Sequence, residues 1–390
     1  MFKVRETFIP FCIPDVSERE VDAVAGAIRS GWWAKGPLTV EFEKRFAQYV
    51  GAKHAIAVNS CTAALHLALL SQGIGPGDEV ITSPLTFAST ASTIVHTGAT
   101  PVFADIDERT GCIDPEQIER RITKRTRAVV PVHYSGIACD LDAVRALCQA
   151  HGLFLSEDAA HAVETRYHGE PIGCHPMGAA SFSFYATKNL ATGEGGMLVT
   201  DDDGIAERAG VLSCHGMSRN AWKRYGKGGS FRYDVTEFGY KYNMFDLQAA
   251  LGLTQLERMP QMQAARMQAV EVYERAFAPC EALVLQQTPE NTVHSRHLYV
   301  LRIRPEALTI DRDRFVAELA ERNVGTSVHF LPVHLMSAYR ARFGFAPGDF
   351  PRAERFSDTE ISLPMYSRLS VEDAAYVAEA VLDIVQKFKR

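Results

Sequence analysis

The sequence has no run of apolar residues long enough to make a membrane-spanning helix, which takes about 20 in succession. Met1 to Asp15 lacks the basic stretch, apolar core and small-residue cleavage site of a secretory leader, so no signal peptide is expected. Cysteine is sparse and scattered: Cys12, Cys61, Cys112, Cys139, Cys148, Cys174, Cys214 and Cys280, with no C-x-x-C pair. That spacing argues against a disulfide framework and for reduced thiols in the cytoplasm. No charge of one sign dominates, since 41 Lys and Arg face 47 Asp and Glu for a net charge of -6. A broad nucleic-acid-binding face is therefore excluded. His294 and His297 are close in sequence but lack companion ligands, so no metal centre is expected. There is no internal repeat and no low-complexity segment.

What remains is an ordinary globular composition, 46% hydrophobic and 23% charged. A chain of 390 residues exceeds one ordinary core and suits two domains. Through the first two-thirds, short β-rich runs alternate with helical patterns, the mark of an α/β layered domain. Strands are predicted over 55–58, 79–82, 101–104, 128–132, 153–156, 181–184 and 197–200, with helices over 63–71 and 141–151. A polar, glycine-bearing stretch runs from His215 to Tyr242, a length that usually marks a functional lid or a disordered segment. A long helical pattern follows from Leu247 toward Phe277, with an interruption expected at Pro260. Beyond it, a strand is predicted over 297–303, a helix over 311–323, a short apolar segment over 328–331 and an amphipathic helix over 371–388. The expected division is a large domain over 1–255, with an N-terminal arm, and a smaller α+β domain over 256–390.

The chemistry lies in the order of four features. The turn Asn59-Ser60-Cys61-Thr62 opens a helix, whose first amides lack internal partners and attract a phosphate. Glu157-Asp158-Ala159-Ala160-His161-Ala162 places an acid at a strand end. Thirty residues on, Ser183-Phe184-Tyr185-Ala186-Thr187-Lys188-Asn189 places a lysine after another strand, followed by Gly193-Glu194-Gly195-Gly196. In open α/β sheets, ligands gather beyond the carboxyl ends of strands. A pyridoxal phosphate enzyme needs this set: a lysine amine to form a Schiff base with the cofactor aldehyde, and an acid to keep the pyridine nitrogen protonated. Each feature alone has a plainer reading. Ser60 or Thr62 could only cap a helix, Asp158 likewise, Lys188 could be a solvated surface charge, and Phe87 could be core rather than a stacking ring.

Together the motifs resemble those of the DegT/StrS-type nucleotide-sugar aminotransferases, fold type I (aspartate aminotransferase-like) among pyridoxal phosphate enzymes. The resemblance covers nearly the whole chain. It rests also on Ser30-Gly31-Trp32-Trp33 with Gly36-Pro37, Gly75-Pro76-Gly77-Asp78-Glu79-Val80, and Gly239-Tyr240-Lys241-Tyr242-Asn243. It implies a large, mostly parallel-sheet domain plus a smaller α+β domain. It implies Lys188 as the lysine that carries the cofactor, Asp158 as the partner of the pyridine nitrogen, and Ser60, Cys61, Thr62 and Ser183 at the phosphate. Phe87 matches the aromatic position over the ring, and His161 a site near the cofactor oxygen. Asn243 matches an asparagine that reaches the phosphate of a neighbouring subunit, which implies a homodimer with shared sites.

Within the family, the Tyr-Lys-Tyr-Asn run and Val328-His329-Phe330 look most like the branch making UDP-4-amino-4-deoxy-L-arabinose, with His329 in the sugar pocket. The implied reaction moves an amine from L-glutamate to a nucleotide-linked keto sugar. Relatives that dehydrate sugars carry His where this chain has Lys188. Cys61 departs from the usual Gly or Ala of the turn, Ala34-Lys35 from a Thr-rich pair, and Phe87 from Trp, the last two where substrate binds. A dTDP- or GDP-linked 4-keto-6-deoxyhexose, or a 3-keto sugar, therefore stays open as substrate. So does a non-enzymatic cofactor-binding regulator, although no segment is left over for a DNA-binding module. Lys223, Arg224, Lys227, Arg232 and Lys241 are expected to meet the nucleotide diphosphate.

Overall fold

A computed structural model describes residues 2–174, 177–217 and 233–390. Two helices open the chain, α1 (Glu18–Ser30) and α2 (Pro37–Val50). Ser17 and Glu20 form a reciprocal cap at the start of α1, and Pro37 sits at the first position of α2, where a missing N–H costs nothing. The sheet then builds through β1 (His54–Val58), β2 (Glu79–Thr82), β3 (Thr100–Phe103), β4 (Thr126–Val130) and β5 (Phe154–Asp158). Helices α3 (Cys61–Ser71) and α4 (Ala88–His96) fill the first two crossovers. Strands Gly178–Ser183 and Gly196–Thr200 complete seven. Their order is β1, Gly196–Thr200, Gly178–Ser183, β5, β4, β2, β3. Gly196–Thr200 runs antiparallel to both neighbours and the remaining strands run one way.

The period of two in a strand sorts side chains to the two faces. Ala180 and Phe182 join Phe42, Phe46 and Met259 on one side. Ala179 and Leu198 join Ala63, Leu67 and Ile205 on the other. Three layers result, and α3 is buried nearly all round, as its run of Ala and Leu requires. A second, three-stranded antiparallel sheet has Tyr299–Ile303 between Leu283–Leu285 and Glu360–Leu363. It packs with helices Arg312–Glu321 and Val371–Phe388 in a separate core, which also takes in Tyr273, Phe277 and Ile9.

Several expectations change. Helix Asp246–Phe277 runs unbroken through Pro260. Leu256, Met259 and Met262 are buried around the proline, and that packing outweighs one lost ladder bond. The apolar segment over 328–331 lies outside the regular elements, and the His329–Phe330 peptide there is cis. The predicted strand from His297 begins only at Tyr299, because Leu298 donates its amide to the Ser135 carbonyl outside the sheet. Helices α1, α2 and α4 were not predicted; the Ser/Thr-rich sequence of α4 has no strong periodicity.

One carboxylate ties two helix starts together. Asp246 opens the long helix, yet its Oδ1 accepts from the amides of Gly36 (2.8 Å) and Thr39 (3.0 Å) and from the Thr39 hydroxyl (2.7 Å). Its Oδ2 accepts from the Leu38 amide at 3.1 Å. These are the orphan donors of α2, and they are buried. We expect Asp246→Ala to lower the unfolding free energy by about 3 kcal/mol, since several buried donors lose their acceptor. Urea unfolding of the cofactor-free protein measures it, and a loss below about 1 kcal/mol would contradict this account.

Candidate active site

Because the parallel strands end on one edge, the loops that follow them converge there. Asn59 and Ser60 follow β1, Phe87 follows β2 by a short turn, His133 to Gly136 follow β4, Asp158 ends β5, and Lys188 follows Gly178–Ser183. The antiparallel strand begins at the same edge, with Gly196 opposite both Ser183 and Val58. A Cβ on Gly196 would lie 2.4 Å from the Ser60 carbonyl carbon, so only glycine lets the start of α3 rest on that strand.

Lys188 is half-buried among ionisable groups. Burial pushes its amine down to about 8, against the pull of Cys61, Asp158 and Cys12. Its Nζ lies 3.3 Å from Nε2 of His297, whose Nδ1 lies 3.1 Å from Oδ1 of Asn189. Asp158 is buried. Oδ2 accepts from the Thr90 hydroxyl at 2.8 Å and Oδ1 from the Ala160 amide at 3.1 Å. Burial raises its carboxyl, although those donors, Lys188 and His133 all favour the ionised form. A buried carboxylate held by two neutral donors suits a cationic partner such as a pyridinium N–H.

The imidazole of His161 is buried, and its Nδ1 accepts the Ser135 amide at 3.2 Å, which leaves the proton on Nε2. Its ring centroid lies 4.4 Å from that of His297. His329 donates its amide to Glu360 at 2.8 Å and its Nδ1 lies 2.8 Å from the Ser362 hydroxyl. Desolvation keeps these imidazoles neutral, His161 and His297 well below their usual range and His329 down to about 3, with Lys188 adding to each depression.

At the start of α3, Ser60 caps the helix by accepting the Ala63 amide at 3.1 Å. That is the plainer role foreseen for it, and it leaves the Cys61 and Thr62 amides as first-turn donors. Burial pushes the Cys61 thiol well above its usual value, so the sulfur is a neutral group 3.4 Å from the Ser181 carbonyl oxygen. Ser183 is buried, and its Oγ accepts the Tyr185 amide at 3.4 Å. Phe87 is 62% exposed and hence not core; its ring lies 6.1 Å from Phe330.

Residues 240–243 pack against the end of β1. Asn59 donates to the Tyr242 carbonyl at 2.6 Å, and Val58 pairs with Asn243. Asn243 Oδ1 is buried with no partner among the described residues. A cradle of first-turn helix amides, a buried acid and a half-buried amine at one strand edge fits pyridoxal phosphate. Lys241 is exposed nearby. Lys35 is held instead by Glu43 at 2.7 Å, so the structure places it in an ion pair. Lys223, Arg224, Lys227 and Arg232 lie outside the described residues.

Sequence reasoning named neither His297 nor Thr90 for this site. Each stands in a segment with no motif of its own, and contact across the fold alone brings it in. A cleft of about 830 Å³ opens elsewhere, between Asp107–Glu116 and Gln287–Asn291, and contains none of these residues. Its arginines are paired, Arg109 with Asp107 and Arg352 with Asp114.

Residues 14–382 match the DegT/DnrJ/EryC1/StrS aminotransferase family. The chain is 53% identical over 388 residues, 99% of each chain, to the spore coat polysaccharide biosynthesis protein SpsC of Bacillus subtilis (strain 168). It superposes on the PLP-form of Spr1654 from Streptococcus pneumoniae, by description a sugar aminotransferase, with a TM-score of 0.89 at 34% identity over 97% of this chain and 99% of that one. Against Helicobacter pylori PseC, an aminotransferase involved in pseudaminic acid biosynthesis, the TM-score is 0.90 at 30% identity over 98% and 100%. The protein thus has the α/β architecture of the fold type I enzymes and depends on pyridoxal phosphate; it belongs to the DegT/DnrJ/EryC1/StrS family as a sugar aminotransferase.

Proposed function

We propose that the protein transfers the amino group of L-glutamate to a nucleotide-linked keto sugar, with a UDP-linked 4-keto sugar as the preferred acceptor. The observation that carries this reading is the desolvated amine of half-buried Lys188, set among Asp158, Cys61 and neutral histidines where the strand ends converge. The sugar aminotransferase descriptions of its relatives support the substrate class. The Tyr240-Lys241-Tyr242-Asn243 run and His329 support the choice of sugar.

The cofactor, when bound, supplies an electron sink for the charge left on a carbon that loses its proton. The other tasks fall to this chain. Lys188 carries the cofactor at rest; once released, its Nζ takes the proton from the α carbon of glutamate. In the return half it delivers a proton to the sugar carbon that gains the amine. Asp158 faces the ring nitrogen and holds its proton. The Cys61 and Thr62 amides and the Ser183 hydroxyl receive the phosphate, with Ser60 holding the helix start in place. His161 donates through Nε2 toward the ring oxygen. Phe87 covers the mouth of the site, and His329 lines the sugar side. Some of Lys223, Arg224, Lys227, Arg232 and Lys241 meet the diphosphate in this reading, of which Lys241 alone lies among the described residues.

Two copies share each site in this reading, with Asn243 reaching across. Phe238, at 98% exposed, and the exposed Trp33 and Tyr185 are apolar surface for a partner copy to cover. The scattered cysteines, with no C-x-x-C pair, support a cytoplasmic enzyme. The two domains divide near residue 255.

Borohydride reduction of the holoenzyme, followed by peptide mass mapping, should leave the pyridoxyl group on Lys188. Lys188→Ala should lose turnover by about 10³-fold or more while still holding pyridoxamine phosphate. A label on another lysine, or undiminished turnover, would remove the assignment. Mass spectrometry of products from a panel of nucleotide keto sugars and amino donors tests the substrate, and amination of a dTDP-linked sugar in preference to UDP would overturn that choice.

The pH dependence has a definite sign. The folded amine titrates near 8, below the ordinary lysine value of about 10.4, because burial disfavours the ammonium form. Only the neutral amine attacks an aldehyde. The rate at which cofactor-free enzyme captures pyridoxal phosphate should therefore rise about tenfold per pH unit below 8 and level off above it. A midpoint near 10.4 in stopped-flow absorbance would mean that the amine is solvated.

A further inference from the structure

We propose that His297 is a positioning residue for Lys188, locked by Asn189 into the tautomer that presents an acceptor to the lysine amine. An asparagine amide has a donating and an accepting end. The Asn189 side chain donates through Nδ2 to the Ser295 carbonyl at 3.0 Å, which turns its Oδ1 toward His297. Ser295 is itself fixed, with its amide on the Gly136 carbonyl at 3.1 Å and its hydroxyl on the His161 carbonyl at 2.7 Å. An oxygen acceptor 3.1 Å from Nδ1 requires a proton on Nδ1. A neutral imidazole with that proton has a lone pair on Nε2, and Nε2 faces Nζ of Lys188 at 3.3 Å.

The ring cannot drift, because it is buried, lies 4.4 Å from the His161 ring, and is followed by Leu298, whose amide is held at 3.2 Å by the Ser135 carbonyl. Nor does it readily charge: burial opposes the imidazolium, with Lys188, His161, Arg266 and His329 the other facing groups that do so. One N–H of the free lysine amine is thereby engaged at Nε2. The nitrogen lone pair and the second N–H are left to the reacting side. The sequence neighbour of the lysine thus governs the lysine indirectly, through a histidine 109 positions away.

This inference rests on Lys188 being the cofactor-bearing lysine. Its first test does not depend on that reading. In cofactor-free protein labelled with 15N-histidine, long-range 1H–15N correlation spectra should show His297 protonated at Nδ1 and bare at Nε2 near neutral pH. The signal is assigned by its loss in His297→Asn. A proton on Nε2 would overturn the proposal, whatever the borohydride label shows.

Two variants separate the bonds of the ring. His297→Asn keeps a donor for Asn189 but loses the acceptor for Lys188; His297→Gln offers an amide oxygen near the place of Nε2. We expect His297→Asn to lower kcat about 10²-fold with the sugar KM within about threefold, and His297→Gln to recover most of that loss. An acceptor favours the ammonium more than the neutral amine. Its removal should move the midpoint of pyridoxal phosphate capture down by about half a pH unit, although turnover falls. A site merely loosened and hydrated would move the midpoint up instead. An upward shift, or equal losses in both variants, would sink the proposal.

Discussion

The whole site depends on taking one amine and one carboxylate out of water together. Among the described residues, neither Lys188 nor Asp158 has a full set of partners, and burial disfavours the charged form of each. Mutual attraction offsets part of that cost, and two neutral donors from Thr90 and Ala160 offset more. The remainder is what a bound cofactor can satisfy, through its ring nitrogen and its aldehyde. A pair of this kind is a poor way to stabilise a fold and a good way to hold a reactive group ready.

Keeping the surroundings neutral is the second half of the same constraint. Histidines 161, 297 and 329 crowd the lysine, and a proton on any of them would drive the amine's affinity for its own proton down further. Burial removes that hazard, and each ring is fixed by a partner on its far side: Ser135 for His161, Asn189 for His297, Ser362 for His329. The central sheet makes such crowding possible because its strands deliver their loops to one edge, while Gly196 lets the start of α3 close down on that edge. The capping carboxylate of Asp246 joins the long helix to the start of α2 and so fixes the scaffold behind it.

Much of this was legible from the residues. The sheet strands lie within a few positions of their expected places, and helices Leu141–His151 and Val371–Phe388 have the expected ends, because amphipathic period and flanking turns are local signals. The order of turn, acid, lysine and glycines pointed to the cofactor before any fold was in view. Where tertiary packing overruled a local rule, the reading failed. Pro260 does not break its helix.

The sequence by itself singled out the groups on which the proposed chemistry rests: a lysine amine, an acid at a strand end, and a turn whose helix amides suit a phosphate. Those are properties of residue types in short segments. Only the tertiary structure decided that Phe87 is exposed over the site and not core, that Ser60 caps α3, and that His297 reaches Lys188 from a loop of the second sheet. The reason is physical. The proton affinity of a buried group and the tautomer of a ring are set by whatever lies within hydrogen-bond distance, and those neighbours are brought together by the fold across intervals that carry no local pattern.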